Sequence, residues 1–507
     1  MQAPARSLRV LFVAAEMTPL VKVGGLADVV AALPQALVER GHEVRVLLPA
    51  YGAHMTGGST RLMSMTMSDG HTSLAELRRP DLPCPVWLFE SPAFAGRGHH
   101  PYSRPDGTAW PDDARAFGEF GRVAAGIAAG TVLPDWQPDI VHCHDWHTGL
   151  APAWMRLEPN AAASVFTIHN LAFTGRFHPR VLAELGLPES LNRPDMLEFH
   201  GDVAFIKGGL CCADELTTVS PRYAQEILTP EFGNGLEGLL RHRRERLTGI
   251  LNGIDSRLWN PASDPLIEHA FDDTDLTGKS RERVRLLRRW GVAATEDEAV
   301  LGWVGRLTRQ KGADLLLDAL PELFQRPLRL VVLGSGEPEL EQAVAAAAKR
   351  WPGRFLAHSR FDEALAHGVY AGADMLAMPS RFEPCGLSQL YAMRYGTVPV
   401  TTAVGGLADT VFDADAIADA IADALGLASF NATGFLMARA TVPDLIETVD
   451  RALTWYRDQR RWQALMRNTM GRDSSWTTAV VAYEKVYESA LARRGRGLHD
   501  GNPEMNA

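Results

Sequence analysis

Five cysteines in 507 residues, an odd number without regular spacing, exclude the disulfide framework of a small secreted domain. Positive charge is also short. Lys and Arg number 51 against 61 Asp and Glu, a net charge of −10, so no overall basic field attracts nucleic acid or an anionic membrane. An anionic substrate must then meet a local group of Lys and Arg. No stretch approaches the roughly 20 apolar residues that a membrane span requires. The apolar run Leu8–Ala15 contains Arg9, ends at Glu16 and lacks a small-residue cleavage pattern, so it reads as a buried strand rather than a signal peptide. A cytoplasmic protein with no nucleic-acid or membrane partner is the expectation. What is present is ordinary for a globular chain: 46% hydrophobic and 22% charged residues. The length suits two or three domains of about 100–200 residues each.

Short β-branched runs alternate with helix-like segments, the pattern of a parallel α/β sheet. Leu8–Ala14, Glu43–Leu48, Pro85–Phe89, Asp139–His142, Ala163–Ile168, Glu215–Val219 and Gly249–Leu251 read as strands, and Leu26–Arg40 as a helix. The stretch Gly52–Thr72 fits no period and is expected to be an insertion or loop, its Met63–Met67 portion disordered. A second unit starts near Val300, with strands at Val300–Val304, Leu328–Leu333, Asp374–Met378 and Val398–Thr401. Helices are expected at Ala313–Gln325, Glu339–Arg350, Gly386–Tyr395, Asp444–Arg467 and Ala479–Arg493. The charged, turn-rich segment Asn260–Thr295 marks the boundary or lies just beyond it. Gly24-Gly25-Leu26-Ala27-Asp28 recurs as Gly405-Gly406-Leu407-Ala408-Asp409 in a similar setting, consistent with two Rossmann-like domains. Open parallel sheets bind ligands outside the carboxyl ends of their strands.

Four segments carry residues suited to chemistry. In Lys22–Asp28, paired glycines between strand and helix permit close backbone approach, and a helix start offers free N–H groups to an anion. The same residues also suit a tight turn with a solvated lysine. In Gly305–Gly312, Arg306 and Lys311 are two cations in a short loop, fit to meet the charge on a departing diphosphate. In Pro379–Gln389, Glu383 is expected at a cleft mouth and the N–H groups of Gly386, Leu387 and Ser388 in a phosphate cradle. Cys385 reads as a buried filler, since no basic neighbour lowers its pKa. His142–His147 invites a zinc site, but alternate strand residues point to opposite faces and no second cluster accompanies it. Asp145, and His169 beside Asn170, fit sugar-hydroxyl contacts better. The pairs Asp273/Asp275 and Asp413/Asp415 read as solvated faces, and no metal or other cofactor is expected.

Taken together, Lys22–Val30, His142–Gly149, Thr167–Asn170, Leu251–Asp255, Gly305–Gly312, Pro379–Tyr391 and Gly405–Val411 resemble the bacterial glycogen synthase and plant starch synthase family. The resemblance runs from about Leu8 to Leu491. It implies a GT-B fold, an α/β architecture of two Rossmann-like parallel-sheet domains facing across a deep cleft. The implied division is residues 1–257 on the acceptor side, 258–470 on the donor side, a C-terminal helix over 471–495 crossing back, and a flexible tail, 496–507. The implied reaction is retaining transfer of glucose from ADP-glucose to the non-reducing end of an α-1,4-glucan, elongating glycogen. Lys22 matches the family's donor-binding lysine, Arg306 and Lys311 the diphosphate pair, and Glu383 the carboxylate near the donor glucose. Gly25, Asp28, Asp145, Asn252 and His169 match further cleft positions, with His169 facing the transferred sugar. One departure stands out. The family's Gly-Tyr-Asp/His-Glu-Ala is here Arg360-Phe361-Asp362-Glu363-Ala364, so Phe361 keeps the ring assigned to the adenine without its hydroxyl. On that basis Phe361→Ala is expected to weaken donor binding more than acceptor binding.

Competing readings are a phosphorylase or epimerase of similar fold, an NAD-dependent oxidoreductase, and a glucan-binding protein with a degenerate donor site. The oxidoreductase lacks its Gly-x-Gly-x-x-Gly after a strand. The intact Lys22, His169, Arg306, Lys311 and Glu383 weigh against the degenerate site.

Overall fold

The computed structural model describes residues 6–67, 70–295, 297–360, 362–415 and 431–499, with side chains given as far as 495. The chain forms two compact units. The first comprises residues up to Gly253 together with the segment from Trp476 onward, and the second runs from Ile254 to Ser475.

Unit 1 is built on a sheet of nine strands. These are β1 (Arg9–Val13), β2 (Glu43–Pro49), β3 (Thr60–Met67), β4 (Gly70–Leu77), β5 (Val86–Glu90), β6 (Ile140–His144), β7 (Ala163–Ile168), β11 (Glu215–Thr218) and β12 (Leu247–Gly249). Between β7 and β11 the chain makes a small antiparallel sheet from β8 (Arg176–Phe177), β9 (Glu198–Phe199) and β10 (Asp202–Ala204). The large sheet is ordered β12-β11-β7-β6-β1-β2-β5-β4-β3. It is parallel from β12 to β5. The near-continuous apolar runs of β1 and β7 follow from burial on both faces, as parallel strands flanked by helices require.

Unit 2 has a six-stranded parallel sheet. Its strands are β13 (Ala299–Val304), β14 (Leu328–Leu333), β15 (Phe355–His358), β16 (Met375–Met378), β17 (Val398–Thr402) and β18 (Phe435–Met437), in the order β15-β14-β13-β16-β17-β18. In both sheets the chain enters at the middle, steps outward, then returns to step the other way. The strand order therefore reverses between β1 and β6 in unit 1 and between β13 and β16 in unit 2. A reversal point leaves a crevice at the carboxyl ends of its two strands, because successive crossovers depart in opposite directions.

The helix Trp476–His499 belongs to unit 1. Its Glu484 binds Arg40 through both carboxylate oxygens, at 2.5 and 2.8 Å, and meets His42 Nε2 at 3.0 Å. Tyr487 reaches His142 Nδ1 at 2.9 Å, and Ser489 and Arg493 bind Glu215.

Several expectations are corrected. Most of Gly52–Thr72 is ordered structure. Thr60–Met67 pairs with Gly70–Leu77 as an antiparallel hairpin at the sheet edge. Met63, Met65 and Met67 alternate as half-buried residues between exposed neighbours, a period of two that the polar composition obscured. Asn260–Thr295 lies just beyond the boundary between Gly253 and Ile254, one of its two expected places, but it is not all turn, since it contains the helix Thr277–Arg288. The single helix expected over Asp444–Arg467 is two, Val442–Arg457 and Gln459–Met470, because the Asp458 carboxylate caps the second by accepting from Arg460 and Arg461 N–H. The last helix continues past 495 to His499, and 500–507 lie outside the described residues. The two Gly-Gly-Leu-Ala-Asp segments open helices after β1 and after β17, which hold different places in their sheets.

Candidate functional site

In each unit several of the residues singled out above lie on the loops beside the reversal point, those after β1 and β6 in unit 1 and after β13 and β16 in unit 2. In unit 1 the loop after β1 is held from within. Buried Glu16 accepts the Val23 and Gly24 N–H groups at 2.5 and 2.9 Å, and the Tyr102 hydroxyl at 2.5 Å. Burial pushes the Glu16 carboxyl above its ordinary range even against these donors. The Tyr102 ring stacks on His147, 4.3 Å between centroids, so the loop after β1 is tied to the segment after β6. Lys22 is exposed and ion-paired. Its Nζ lies 2.7 Å from Asp28 Oδ1, which also accepts from the Thr18 hydroxyl at 3.1 Å. Gly25 begins the helix Gly25–Glu39 that follows.

Asp145 follows β6 with φ at +56°, a left-handed conformation unusual outside glycine. This turn aims Oδ1 at the start of the loop after β7, where it accepts the N–H of His169 at 2.8 Å and of Asn170 at 3.4 Å. Burial raises its pKa to about 7 despite those bonds. The half-buried His169 ring contacts His144, with His169 Nε2 2.9 Å from His144 Nδ1, and burial pushes the His169 pKa down to about 3. Asn252 follows β12 and is buried, and its Oδ1 has no hydrogen-bond partner among the described residues.

The histidine-rich segment is divided among separate partners. His142 binds Tyr487 through Nδ1 and the Thr167 hydroxyl through Nε2, at 2.9 and 2.6 Å. His144 turns to His169, while His147 packs against Tyr102, Phe117 and Trp146. Among the described residues no group of three or more His, Cys, Asp or Glu is placed to hold a metal ion. Asp415 is exposed, as a solvated face requires, while Asp413 is half-buried, and Arg451 bridges the two at 2.9 Å from Asp413 and 3.0 Å from Asp415.

In unit 2 the loop after β13 packs on the loop after β16. Gly312, with φ at +71°, lies so close to Pro379 that a Cβ would stand 2.2 Å from its carbonyl oxygen. The contact brings Lys311 Nζ to 2.5 Å from Glu383 Oε2, with Ser380 Oγ at 3.3 Å. Glu383 is 5% exposed and so does not sit at an open mouth, as its place in sequence implied. Arg306 differs from Lys311. It is exposed and has no ion-pair or hydrogen-bond partner among the described residues, so only one of the two cations is held. Gly406 N–H donates to the Glu383 carbonyl at 3.1 Å, and neither Gly405 nor Gly406 has room for a Cβ beneath residues 383–385. The second Gly-Gly pair thus braces the Glu383 loop. Gly386 has φ at +73°, and the chain turns there into the short helix Ser388–Arg394. The N–H groups of Gly386, Leu387 and Ser388 donate to no described group, and Cys385 is buried beside them. Phe361 lies outside the described residues.

Glu16, Tyr102 and the pairing role of His144 were missed. Glu16 stood only as the end of an apolar run, and nothing near Tyr102 in sequence points to a loop 86 positions away.

Two Rossmann-like units with cations and carboxylates at their reversal points are the framework of a GT-B glycosyltransferase. Residues 9–242 match the family model described as the starch synthase catalytic domain, and residues 298–454 match glycosyl transferases group 1. The chain is 45% identical over 501 residues to glycogen synthase 1 of Methylococcus capsulatus, covering 99% of this chain and 100% of that one. It is 46% identical over 494 residues to glycogen synthase of Alkalilimnicola ehrlichii, covering 96% and 100%. Among solved structures, the catalytic domain of starch synthase IV from Arabidopsis thaliana, bound to ADP and acarbose, superposes with a TM-score of 0.85 at 32% identity, covering 96% of this chain and 100% of that one. The chain belongs to the bacterial glycogen synthase and starch synthase family, and it is a glycosyltransferase.

Proposed function

We propose that this chain transfers glucose from ADP-glucose to the non-reducing end of an α-1,4-glucan, with retention at the anomeric carbon, in the cytoplasm. The reading is supported by the relatives named glycogen synthase and by the starch synthase solved with ADP and acarbose. The observation that carries it is the pairing of Lys311 with the buried Glu383 in unit 2, with Arg306 on the same loop as Lys311, exposed and unpaired among the described residues. A departing ADP accumulates negative charge, and fixed cations stabilise that charge most where reorganisation is small. Arg306 and Lys311 take this role. The N–H groups of Gly386, Leu387 and Ser388 add donors to it, and Phe361, outside the described residues, matches the family's aromatic for the base. In unit 1, Lys22, Gly25 and Asp28 bind the donor, while Asp145, His169 and Asn252 bind sugar hydroxyls.

Retention through a covalent intermediate uses two carboxyl groups about 5–5.5 Å apart, one of them the nucleophile, and the sequence offers no pair evidently placed for this. Glu383 is held by Lys311, and Asp145 by the N–H groups of His169 and Asn170. We therefore assign front-face attack, in which the acceptor hydroxyl enters on the side the phosphate leaves and gives its proton to that phosphate. Glu383 lends negative charge to the oxocarbenium-like centre. A trapped glucosyl–Glu383 or glucosyl–Asp145 adduct would replace this step.

The test is transfer of radiolabelled glucose to glycogen from ADP-glucose and from UDP-glucose, with and without EDTA. Strong transfer from ADP-glucose, unchanged by EDTA, is expected. Preference for UDP-glucose overturns the donor assignment. Absence of transfer in folded protein that still binds glucan replaces the enzyme reading with a binding one.

A further inference from the structure

His144 is fully buried at the end of β6, its ring stacked 5.4 Å from Phe12 and 4.3 Å from His142. Of its two nitrogens, Nδ1 lies 2.9 Å from His169 Nε2, and Nε2 has no partner among the described residues. His142 cannot serve it, because both nitrogens of that ring are already bound to Tyr487 and Thr167. Burial holds His144 and His169 well below the ordinary imidazole pKa, so both rings are neutral near pH 7. A neutral imidazole carries one N–H, and a single proton lies between the facing nitrogens.

Two arrangements satisfy that contact. In one, His144 donates from Nδ1, and its enclosed Nε2 is a bare lone pair. In the other, His169 donates from Nε2, and the His144 proton sits on Nε2 as an enclosed N–H without an acceptor. Buried unpaired N–H groups are rarer in folded proteins than under-satisfied acceptors, which favours the first. We propose that His144 is a positioning residue that fixes His169 as the Nδ1–H tautomer, so that His169 offers a donor rather than an acceptor to an oxygen of the transferred sugar. This rests on the assignment of His169 to the sugar, given above. Its physical sense is that of a histidine whose outward nitrogen is set by the bond its inward nitrogen makes. Because the donor is aimed before substrate arrives, no ring flip or proton exchange accompanies binding.

The experiment is 15N spectroscopy of histidine-labelled full-length protein, with the His169 ring signals identified by their loss in His169→Asn. In the wild type, His169 Nδ1 should carry the proton and Nε2 should be bare. His144→Asn, whose amide supplies a donor near the same place, should keep that tautomer. His144→Leu should shift His169 toward Nε2–H and lower kcat about ten- to a hundredfold with donor KM within about threefold, as loss of one aimed donor predicts. A wild-type His169 protonated at Nε2 overturns the proposal, and this spectrum needs no variant to fold. Equal tautomers and equal kcat in the Asn and Leu variants also overturn it. If His169→Asn retains full transfer activity, the sugar assignment fails, while the tautomer measurement still decides the His144–His169 bond.

Discussion

Lys311 and Glu383 are joined at 2.5 Å although 72 positions separate them, and the bond links the two loops at the reversal point of unit 2. A cation proposed for the donor diphosphate is therefore held by the carboxylate proposed for the glucose. Lys311→Met and Glu383→Gln should each lower kcat/KM by about 10²–10³-fold. The double variant should lose less than the product of the two, since neither partner keeps its function alone. Steady-state kinetics of the four proteins measure the coupling, and strictly multiplicative losses would show the residues acting separately.

Arg306 has no partner to lose among the described residues. Arg306→Ala should raise donor KM and cut kcat/KM about a hundredfold, while stability stays within about 0.5 kcal/mol, as for exposed positions generally. Donor titration alongside thermal melting separates the two effects. A large fall in melting temperature with unchanged donor KM would reassign the side chain to structure.

The Asp145 pKa, raised to about 7 by burial, sets a pH dependence with a definite sign. Its unfolded value is about 3.9, so the folded state retains a proton that the unfolded state has released between about pH 4 and pH 7. On this group alone, stability falls as pH rises through that window. When ionised, both of its oxygens accept hydrogen bonds and it carries a negative charge, whereas protonation turns one oxygen into a donor. The kcat/KM profile should therefore rise with pH around a midpoint near 7, and Asp145→Asn should remove that limb along with most of the activity.

Glu16 holds the loop of Lys22 through the Val23 and Gly24 N–H groups. Glu16→Ala should raise donor KM by about tenfold or more through loss of charged hydrogen bonds worth about 1.5–3 kcal/mol, with acceptor KM little changed. Equal effects on both substrates, seen by varying each at saturation of the other, would remove the loop from donor binding.

The C-terminal helix depends on Glu484. Burial acts to raise this carboxyl, but Arg40 and His42 hold it below its usual range. Its contribution is therefore present above the unfolded pKa and lost as pH falls through the folded one. Glu484→Ala should destabilise unit 1 by about 3 kcal/mol, because the enclosed Arg40 and His42 lose their shared partner. Denaturant titration at pH 7 and at pH 3–4 should show the difference between variant and wild type shrinking in acid.

Much of this protein is legible in sequence. Runs such as Ala163–Ile168 and Leu328–Leu333 state their strands outright, since a strand buried on both faces must be apolar throughout. Gly312 after β13 and Gly386 after β16 adopt positive φ, and Gly312 also lies against the Pro379 carbonyl, so glycine is required at both, whereas Gly24 after β1 has open space where a Cβ would stand. Local chemistry thus determined the strand–helix alternation, the family resemblance and most of the candidate residues. Only the tertiary structure decided which of those residues meet. Lys311 with Glu383, His144 with His169 and Tyr102 with Glu16 are pairings between segments 72, 25 and 86 positions apart. Strand order brings most of those segments together, and no local pattern encodes strand order. Burial, which moves Asp145 upward and His169 downward in pKa, belongs to the same level, because it is a property of everything packed around a residue and not of its neighbours in the chain.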